Sequence, residues 1–434
     1  MKILVIGNGA RESIIVEKLA IDSEVYAFMN KKNPQIAKNC KASYVFKIEN
    51  PDEIKRKVHE IGIKFDIAFV SPDALLEKGI SDTLAECGIK VASPSKKASR
   101  IEWDKSYMRE LVKNHKIDGA IEYAIFEKRE MAQEFIERVK NVAIKPLGLT
   151  GGKGVKVSGD HFSDIQGAME YVDELLKKDG KVLIEEKVEG EEFSLMAFSD
   201  GSKIAPMPPI QDHKRAFVND IGPNTGGMGT ISTGKILPFL DKTDIDKAHK
   251  ILQQVISALA KEDAQFKGIL YGQFMANKGG IKIIEFNARF GDPEAMNALG
   301  LLITPLSSIL HSICEGKMGK VEFSEERSVV RYLVPKGYPG EVEGDFETQI
   351  DYEAINLSRA KIYFASVYEK EGKIFTTNSR AFGILGVART LEEAQRISLE
   401  GAKAVKGEIW FREDIGTKNL VQKRIENMKK VRSR

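Results

Sequence analysis

The sequence predicts a multidomain α/β and α+β protein that begins with an open parallel sheet. Short apolar strands alternate with helical patterns as far as about Ile101, which is typical of a parallel α/β sheet. From Lys105 to about Cys314 the strands are instead separated by long polar and glycine-rich loops, and after Gly316 a third group of strands begins. A length of 434 residues, 42% of them hydrophobic, is sufficient for several domains that each have a core.

The first domain is expected over residues 1–103. A strand at 3–6 runs into a glycine turn and a helical pattern that continues to about Ala20. The other elements expected in this domain are strands at 25–28, 66–70 and 90–92 and a helix at 77–87.

The central domain is expected over residues 104–314, with a lobe at about 120–192 that carries a glycine-rich flap, and an α+β C-terminal domain over 323–434. A long helix at 244–261 should precede a hairpin at 269–287 that turns at Asn277-Lys278-Gly279-Gly280. The remaining predicted elements are strands at 141–145, 181–185, 328–334, 362–368 and 383–389 and helices at 165–178 and 391–405.

Charge and cysteine content narrow the classes of function. With 66 basic and 63 acidic residues the formal charge is +3, so nothing requires a nucleic-acid or membrane partner, and the basic segment 418–434 is expected to be a solvated helix. The cysteines Cys40, Cys87 and Cys314 have neither disulfide-framework nor zinc spacing. Because no signal-peptide pattern or membrane-spanning apolar run is visible either, the sequence predicts a cytoplasmic protein.

The segment at 282–294, K-I-I-E-F-N-A-R-F-G-D-P-E, predicts a metal site beside a charged turn. Glu285 and Asn287 are two residues apart on an apolar strand, so both side chains point to one face. Their oxygens suit Mg²⁺, which typically bridges protein oxygens to substrate phosphates. The charges of Arg289, Asp292 and Glu294 in the turn suit a small zwitterionic or anionic substrate. A solvated hairpin end with incidental charges is the alternative.

Two further segments predict anion sites. Gly7-Asn8-Gly9-Ala10-Arg11-Glu12 lies at the first strand-to-helix turn, but Glu12 fills the third glycine position of a dinucleotide fingerprint, which argues against an NAD-linked oxidoreductase. The helix N-terminus and Arg11 would instead receive a phosphate monoester, unless the turn serves packing alone. Lys145 ends a strand before a loop, Gly148 to Gly154, whose backbone can approach nucleotide phosphates closely. The loop is not a Walker A loop, and such a flap can also be a plain loop.

An acidic segment completes the pattern of a nucleotide pocket. Residues 183–192, L-I-E-E-K-V-E-G-E-E, combine a strand end that can bind an adenine edge with carboxylates such as Glu192 that can accept ribose hydroxyls. The alternative is an acidic surface loop. The chain order of lysines, glycine flap, acidic hinge and metal pair resembles the ATP-grasp layout, in which two α+β lobes hold ATP.

The chain also resembles the glycinamide ribonucleotide synthetase (phosphoribosylamine–glycine ligase) family over nearly its whole length. The motifs that carry the resemblance are 7–12 (GNGARE), 93–96 (SPSK), 211–215 (QDHKR), 222–229 (GPNTGGMG), 285–294 (EFNARFGDPE) and 337–340 (GYPG). The family usually has His where Ser13 stands, two glycines where Asn378-Ser379 stands before Arg380, and Gly-Pro-Glu where Ser71-Pro72-Asp73 stands. These departures concern contacts to the ribose phosphate.

The resemblance and the residue chemistry together imply a ligase that joins glycine to 5-phosphoribosylamine with ATP, in purine biosynthesis. Gln273, Glu285 and Asn287 would bind Mg²⁺ or Mn²⁺. The residues expected to bind ATP are Lys105, Lys145, Gly151, Gly152, Lys153, Gly154, Glu185, Glu186, Val188 and Glu192. The residues expected to bind or activate the other substrates are Gly9, Arg11, Asp212, His213, Lys214, Arg289, Asp292 and Arg380. Within that set Arg289 would bind the glycine carboxylate and Asp212 its ammonium, while Arg11 and Arg380 would take the phosphate.

Two alternative functions are left open by the residues themselves. One is another ATP-grasp carboxylate–amine ligase of purine synthesis, against which the motifs at 211–215 and 222–229 argue. The other is a non-catalytic nucleotide sensor, which would not need Glu285 and Asn287. The expected assembly is a monomer or weak homodimer whose partners are the small-molecule substrates alone.

Overall fold

The computed structural model describes residues 1–148 and 154–433. The N-terminal segment contains five strands, β1 (Lys2–Ile6), β2 (Glu24–Met29), β3 (Ala42–Val45), β4 (Ile67–Val70) and β5 (Lys90–Val91). They form one parallel sheet in the order β3-β2-β1-β4-β5, which confirms the predicted fold class of this segment. Strand β4 is buried along its whole length, as expected for a sheet covered on both faces.

Five helices cover this sheet: α1 (Ala10–Leu19), α2 (Pro34–Asn39), α3 (Pro51–Ile61), α4 (Asp73–Glu77) and α5 (Ile80–Glu86). The single helix predicted at 77–87 is wrong, because Gly79 adopts a φ of 77° and separates α4 from α5. The sequence reading also omitted α2 and α3. Each begins at an Asn-Pro pair whose asparagine side chain caps the first turn, which is a recognisable N-terminal signal.

The flap lobe follows two connecting helices, α6 (Lys96–Trp103) and α7 (Lys105–Asn114). The lobe comprises β6 (Tyr123–Phe126), α8 (Arg129–Val139), β7 (Val142–Lys145), β8 (Lys156–Val157), α9 (Ile165–Asp179) and β9 (Val182–Glu186). Its strands form an antiparallel sheet in the order β6-β9-β7-β8. The predicted strands and helix of this lobe are confirmed.

The rest of the central segment supplies a second lobe. Its strands are β10 (Glu191–Asp200), β11 (Ile204–Pro206), β12 (Gln211–Asp212), β13 (Arg215–Phe217), β14 (Ile221–Asn224), β15 (Gly229–Ser232), β16 (Lys267–Asn277) and β17 (Gly280–Asn287). Its helices are α10 (Lys242–Lys261), α11 (Glu294–Leu301) and α12 (Leu306–Glu315). Strands β11-β10-β16-β17 form one sheet, in which β16 and β17 are the predicted hairpin. Helix α10 is the predicted long helix.

The C-terminal segment contains β18 (Arg327–Pro335), β19 (Glu347–Ile350), α13 (Tyr352–Ser358), β20 (Lys361–Phe364), β21 (Val367–Lys370), β22 (Lys373–Thr376), β23 (Phe382–Ala388), α14 (Leu391–Lys403), β24 (Val405–Gly407), β25 (Ile409–Trp410) and α15 (Lys418–Ser433). The strand predicted at 362–368 is two strands, β20 and β21, in different sheets. Strand β15 pairs with β18, so one sheet crosses the predicted boundary between the central and C-terminal domains.

The buried side chains form two cores. One is continuous from Ile3 in β1 to Met428 in α15, and it includes residues of all three segments. The other lies inside the flap lobe, between Phe126 and Ile184. None of the helices in the described ranges has the length and apolarity that a bilayer crossing requires.

Candidate active site

A cavity of about 720 Å³ lies where the flap lobe, the β16–β17 hairpin and the C-terminal segment meet. It is lined by most of the residues that the sequence nominated: Arg11, Lys145, Glu185, Glu186, Val188, Glu192, Asp212, Lys214, Gln273, Glu285, Asn287, Arg289, Asp292 and Arg380. Among described residues, the nominated Gly9, Lys105, Gly154 and His213 are not part of this lining. Three other nominated residues, Gly151, Gly152 and Lys153, lie outside the described residues.

The register of the β16–β17 hairpin places three oxygen-bearing side chains on one face. Gln273 lies directly opposite Glu285, and Tyr271 lies opposite Asn287. Directly opposed residues of an antiparallel pair share a face, so the register allows Gln273 to join the predicted metal pair. Within the described residues these three side chains make no hydrogen bond or ion pair, which leaves their oxygens available in the cavity.

This donor set fits a cation that binds together with phosphate. No group of three or more His, Cys, Asp or Glu residues in ranges 1–148 and 154–433 is arranged to hold a metal ion. One carboxylate and two amide oxygens are sufficient for Mg²⁺, which usually takes its other ligands from substrate phosphates and water. The residues present therefore fit the cation that the sequence predicts.

Glu185 forms ion pairs with two basic side chains at the predicted ATP-binding residues. Its Oε2 lies 2.7 Å from Lys145 Nζ, and its Oε1 accepts a hydrogen bond of 2.6 Å from Arg109 Nε. Although burial favours the neutral acid, the charges of Arg109 and Lys145 lower the pKa of Glu185 to about 2. Arg109 also donates to the carbonyls of Ile283 and Ile284, so this cluster joins the flap lobe to β17. The side chain of Glu185 therefore orients Lys145 rather than facing a ligand alone.

Lys105 lies beside this cluster. Its Nζ donates a hydrogen bond of 2.6 Å to the carbonyl of Gly148, just before the flap segment. Burial lowers the pKa of Lys105, while the charge of Glu285 opposes that change. The structure therefore attaches Lys105 to the base of the flap, next to the metal pair.

Arg289 is held by a residue that the sequence reading missed. The carboxylate of Glu102, in α6, lies 3.0 Å from the Arg289 guanidinium and accepts a hydrogen bond of 2.8 Å from the Ala288 N–H. Burial raises the pKa of Glu102 to about 7, against the opposing charge of Arg289. The available signal was a charged residue on the buried stripe of α6, beside Ala98 and Ile101.

Asp73 from the Ser71-Pro72-Asp73 departure lies near the same guanidinium. Although burial opposes ionisation, the charges of Arg289 and Arg11 lower the pKa of Asp73. This departure from the family pattern therefore keeps a carboxylate beside both arginines.

Asp212 is a half-buried residue with one buried carboxylate oxygen, Oδ1, that lacks a hydrogen bond in the described structure. Burial together with the nearby charge of Glu294 raises the pKa of Asp212. Glu294 Oε1 accepts a hydrogen bond of 2.9 Å from the Tyr271 hydroxyl. Gly227 permits the approach, because a Cβ there would lie 2.7 Å from Asp212 Oδ1 and its φ is 106°. The two carboxylates form an acidic site that suits an ammonium ion.

Lys214 and Glu192 are paired across the cavity. Lys214 Nζ lies 2.5 Å from Glu192 Oε1. Burial opposes the charged form of Lys214, but the carboxylates of Glu192 and Asp212 outweigh it and raise the lysine pKa. Glu192, which is expected to bind the ribose, therefore lies beside Lys214, which is expected to act on the reacting groups.

Arg380 and Asp292 brace the loop at 222–229. The Arg380 guanidinium donates to the carbonyls of Gly226, Gly227 and Asp292 and to Asp292 Oδ2, the last at 2.9 Å. The Tyr332 hydroxyl donates to the other oxygen of the Asp292 carboxylate. Because most of its donors bind the protein, Arg380 shapes the cavity wall more than it offers free hydrogen bonds to phosphate.

His213 differs from its expected position. Its ring is buried and does not line the cavity, its Nδ1 lies 3.7 Å from Asp220, and burial lowers its pKa. The neighbouring Gln211, Asp212 and Lys214 all line the cavity. The expected direct contact between His213 and substrate is therefore not supported by this geometry.

The first turn of α1 is only partly available to an anion. The Glu12 carboxylate accepts hydrogen bonds from the Gly9 N–H at 2.5 Å and from Arg11 Nε at 2.8 Å. Arg11 also donates to the carbonyl of Phe290 at 2.9 Å. Ser13, a departure from the family pattern, donates to the Phe364 carbonyl and so connects α1 to β20 rather than facing the cavity. Arg11 remains the cavity-lining cation of this segment.

Comparisons with known proteins show a similarity that extends over most of the chain. The chain matches three domains of the phosphoribosylglycinamide synthetase family: the N domain at residues 1–102, the ATP-grasp (A) domain at 103–295 and the C domain at 328–418. The C-domain match ends at the first residue of α15.

Whole-length relatives show the same similarity. The chain is 46% identical over 440 residues to the phosphoribosylamine–glycine ligase of Methanosarcina barkeri and 44% identical to that of Methanosarcina acetivorans, covering 100% of this chain and 100% and 98% of those proteins. The crystal structure of the phosphoribosylamine–glycine ligase from Thermotoga maritima superposes with a TM-score of 0.81 at 27% identity, covering 95% of this chain and 100% of that chain.

Proposed function

The chain belongs to the phosphoribosylglycinamide synthetase family, and from that premise we propose how its residues divide the reaction. It is an ATP-dependent ligase of purine biosynthesis that joins glycine to 5-phosphoribosylamine. The products are glycinamide ribonucleotide, ADP and phosphate.

The proposed chemistry passes through a glycyl phosphate. A carboxylate is a poor acylating group, so an oxygen of glycine first takes the γ-phosphoryl group of ATP and ADP leaves. The amine of 5-phosphoribosylamine then attacks the carbonyl carbon, phosphate departs with the electron pair of the C–O bond, and the nitrogen loses a proton. Phosphoryl transfer of this kind depends mainly on alignment and charge stabilisation.

The observation that carries the proposal is a pair of oppositely charged side chains in the cavity lining. The buried Oδ1 of Asp212 has no hydrogen bond, and the buried Nε of Arg289 also has no hydrogen-bond partner in the described structure. A glycine zwitterion would satisfy both groups, with its ammonium at Asp212 and its carboxylate at Arg289. Both residues line the same cavity as Glu285, which supports a position for the glycine carboxylate near the nucleotide phosphates.

The nucleotide would lie between the flap lobe and the hairpin. Lys145, oriented by Glu185, would bind the phosphates together with Lys105 and with Gly151, Gly152, Lys153 and Gly154. No described residue accepts a hydrogen bond from the Val188 N–H, so it is available to the adenine edge beside Glu186. Glu192 would accept the ribose hydroxyls.

A divalent cation would supply charge neutralisation at the phosphates. We propose that Gln273, Glu285 and Asn287 hold it and that Mg²⁺ and Mn²⁺ both serve, because oxygen donors suit either ion. The Lys214 ammonium, close to Asp212 and Glu192, would stabilise negative charge that develops on the transferring phosphoryl group.

The phosphoribosylamine phosphate would lie at the first turn of α1. Arg11 is the cation proposed to bind it, with the Gly9 turn beside it. Arg380 and Asp292 would act through the loop at 222–229 that they brace, and His213 through Asp220. We further propose a cytoplasmic monomer or weak homodimer without nucleic-acid or membrane partners, in keeping with a formal charge of only +3.

A coupled assay of ADP release tests the function directly. ADP should appear only when ATP, a divalent cation, glycine and 5-phosphoribosylamine are all present, and glycinamide ribonucleotide should accumulate in equal amount. ATP binding without turnover would instead indicate a nucleotide sensor. Turnover with formate or bicarbonate in place of glycine would indicate another ligase of the same superfamily.

A further inference from the structure

The terminal helix α15 is mostly solvent-exposed, as expected, but one side of it packs against the strands beside the proposed nucleotide pocket. It begins where the family match ends, and its Leu420 and Met428 are buried. The helix contacts β10, which contains the end of the acidic hinge (residues 186–192), and β16, which pairs with β10. A segment outside the matched domains therefore packs against the proposed nucleotide pocket.

Two side chains of α15 hold one carboxylate of the hinge from both sides. Arg424 Nη1 lies 3.3 Å from Glu191 Oε2, and Asn427 Nδ2 donates a hydrogen bond of 2.6 Å to Glu191 Oε1. Arg424 also pairs with Asp220 and lines the cavity. Burial raises the pKa of Glu191, whereas Arg424 and Asn427 oppose that effect, so the helix favours the charged carboxylate.

Glu191 is the first residue of β10 and precedes Glu192. On its other side, Gly190 packs so closely on β16 that an added Cβ would lie 2.0 Å from the Ala276 carbonyl oxygen. The hinge is therefore fixed between the hairpin backbone and the terminal helix. A shift of Glu191 would move Glu192 and Val188, because backbone displacements are shared along such a short segment.

We propose that Arg424 and Asn427 are positioning residues for the nucleotide: by holding Glu191, they keep the hinge in the conformation that binds adenine and ribose. The inference rests on the proposed function for the location of ATP. It gives the terminal helix a role in ATP affinity that is separate from the binding of glycine and phosphoribosylamine.

The test compares three substitutions in the full-length chain. Arg424→Gln removes the charge, and Asn427→Leu removes the hydrogen bond at similar volume. Each should weaken binding of ATP with Mg²⁺, measured by calorimetry, about tenfold. Asn427 does not line the cavity, so Asn427→Leu should also change kcat and the KM for glycine less than about twofold. Arg424→Lys keeps the charge and should recover most of the affinity.

The matched control is Arg432→Gln in the same helix. Arg432 pairs with Asp241 and Asp244 at the start of α10 and does not line the cavity, so its loss should leave ATP binding unchanged. Unchanged ATP binding in Asn427→Leu and Arg424→Gln would overturn the proposal. An equal loss in Arg432→Gln would also overturn it, because docking of the helix as a whole would then be responsible. Wild-type protein that binds ATP but forms no product would refute the function alone.

Discussion

Glu102 and Arg289 come from parts of the chain 187 positions apart, yet the carboxylate of one lies 3.0 Å from the guanidinium of the other. The same carboxylate accepts a hydrogen bond from the Ala288 N–H, so it fixes the backbone as well as the side chain of the turn after β17. Arg289 is thereby held at Nη2 by Glu102 and at Nη1 by the Phe290 carbonyl, while its buried Nε has no hydrogen-bond partner in the described structure.

Glu102→Gln should therefore impair glycine use without removing a residue that touches glycine. We expect the KM for glycine to rise roughly tenfold, because Arg289 loses a charged partner that restricts its orientation, while the KM for ATP stays within about twofold. Steady-state kinetics with each substrate varied in turn measures the difference. An equal rise in both constants would contradict a role through Arg289.

Glu285→Gln should reduce kcat by orders of magnitude. The substitution removes the single carboxylate of the proposed cation site, where charge must be neutralised between the nucleotide phosphates. Circular dichroism and thermal unfolding should remain close to wild type. Near-normal turnover at saturating Mg²⁺ would refute the assignment.

Asp212→Asn should raise the KM for glycine far more than that for ATP. An amide keeps the shape of the side chain but no longer attracts an ammonium ion, and the neighbouring Glu294 cannot fully replace it. Asp179→Asn, an exposed change in the flap lobe, provides the control for removal of one negative charge. If only the KM for ATP rises, Asp212 belongs to the nucleotide site.

Glu185→Gln should destabilise the protein in a pH-dependent way. The free energy of unfolding at pH 7 should fall by roughly 3 to 5 kcal/mol, because Arg109 and Lys145 would remain buried without their counter-charge. The pKa of Glu185 falls from an ordinary value of 4.5 to about 2 in the fold, so its stabilisation is fully present above 4.5 and is lost as pH falls toward 2.

Thermal unfolding of wild type and Glu185→Gln across this pH range measures the effect. The difference between the two proteins should be largest near neutral pH and narrow in acid. Glu134→Gln, an exposed change on α8, should show no such trend. A constant difference at all pH values would mean that the ion pairs are not its source.

Arg11→Ala and Lys153→Ala should separate the two phosphate sites. Loss of a charge-assisted hydrogen bond costs roughly 1.5 to 3 kcal/mol, so Arg11→Ala should weaken phosphoribosylamine use about ten- to a hundredfold and leave ATP affinity nearly intact. Lys153→Ala should have the opposite effect. An Arg11 variant that loses ATP binding would place the nucleotide at the first domain.

The sequence was sufficient for those features that depend on local pattern or strand register. Alternating apolar strands predicted the parallel sheet, and the spacing of Glu285 and Asn287 predicted their common face. Gln273 was predicted to join them from the neighbouring strand, and the observed register, with Gln273 opposite Glu285, allows it to do so. The glycine turn predicted the start of α1 but not that Glu12 would cap it, because a helix N-terminus can be satisfied by its own side chain or by a ligand.

Long-range pairings could not be read from the sequence. Nothing near Arg109 signals that it will join Glu185 to the carbonyls of Ile283 and Ile284, since those partners are up to 175 positions away. The burial of His213 beside Asp220, 3.7 Å away, could not be inferred from the motif at 211–215 either. Both outcomes follow from tertiary packing rather than from local propensity.

The two separate hydrophobic cores have a consequence for hydrogen exchange and proteolysis. Because the large core includes side chains from the first, central and C-terminal segments, opening any one of those segments exposes the others, and their amides should exchange together at the slowest rate. The flap lobe can open its small core alone. The amides of the flap lobe should therefore form a second class that exchanges faster, and bound ATP should slow this class selectively. In limited proteolysis, cleavage should occur first within the flap lobe, while the rest of the chain stays intact.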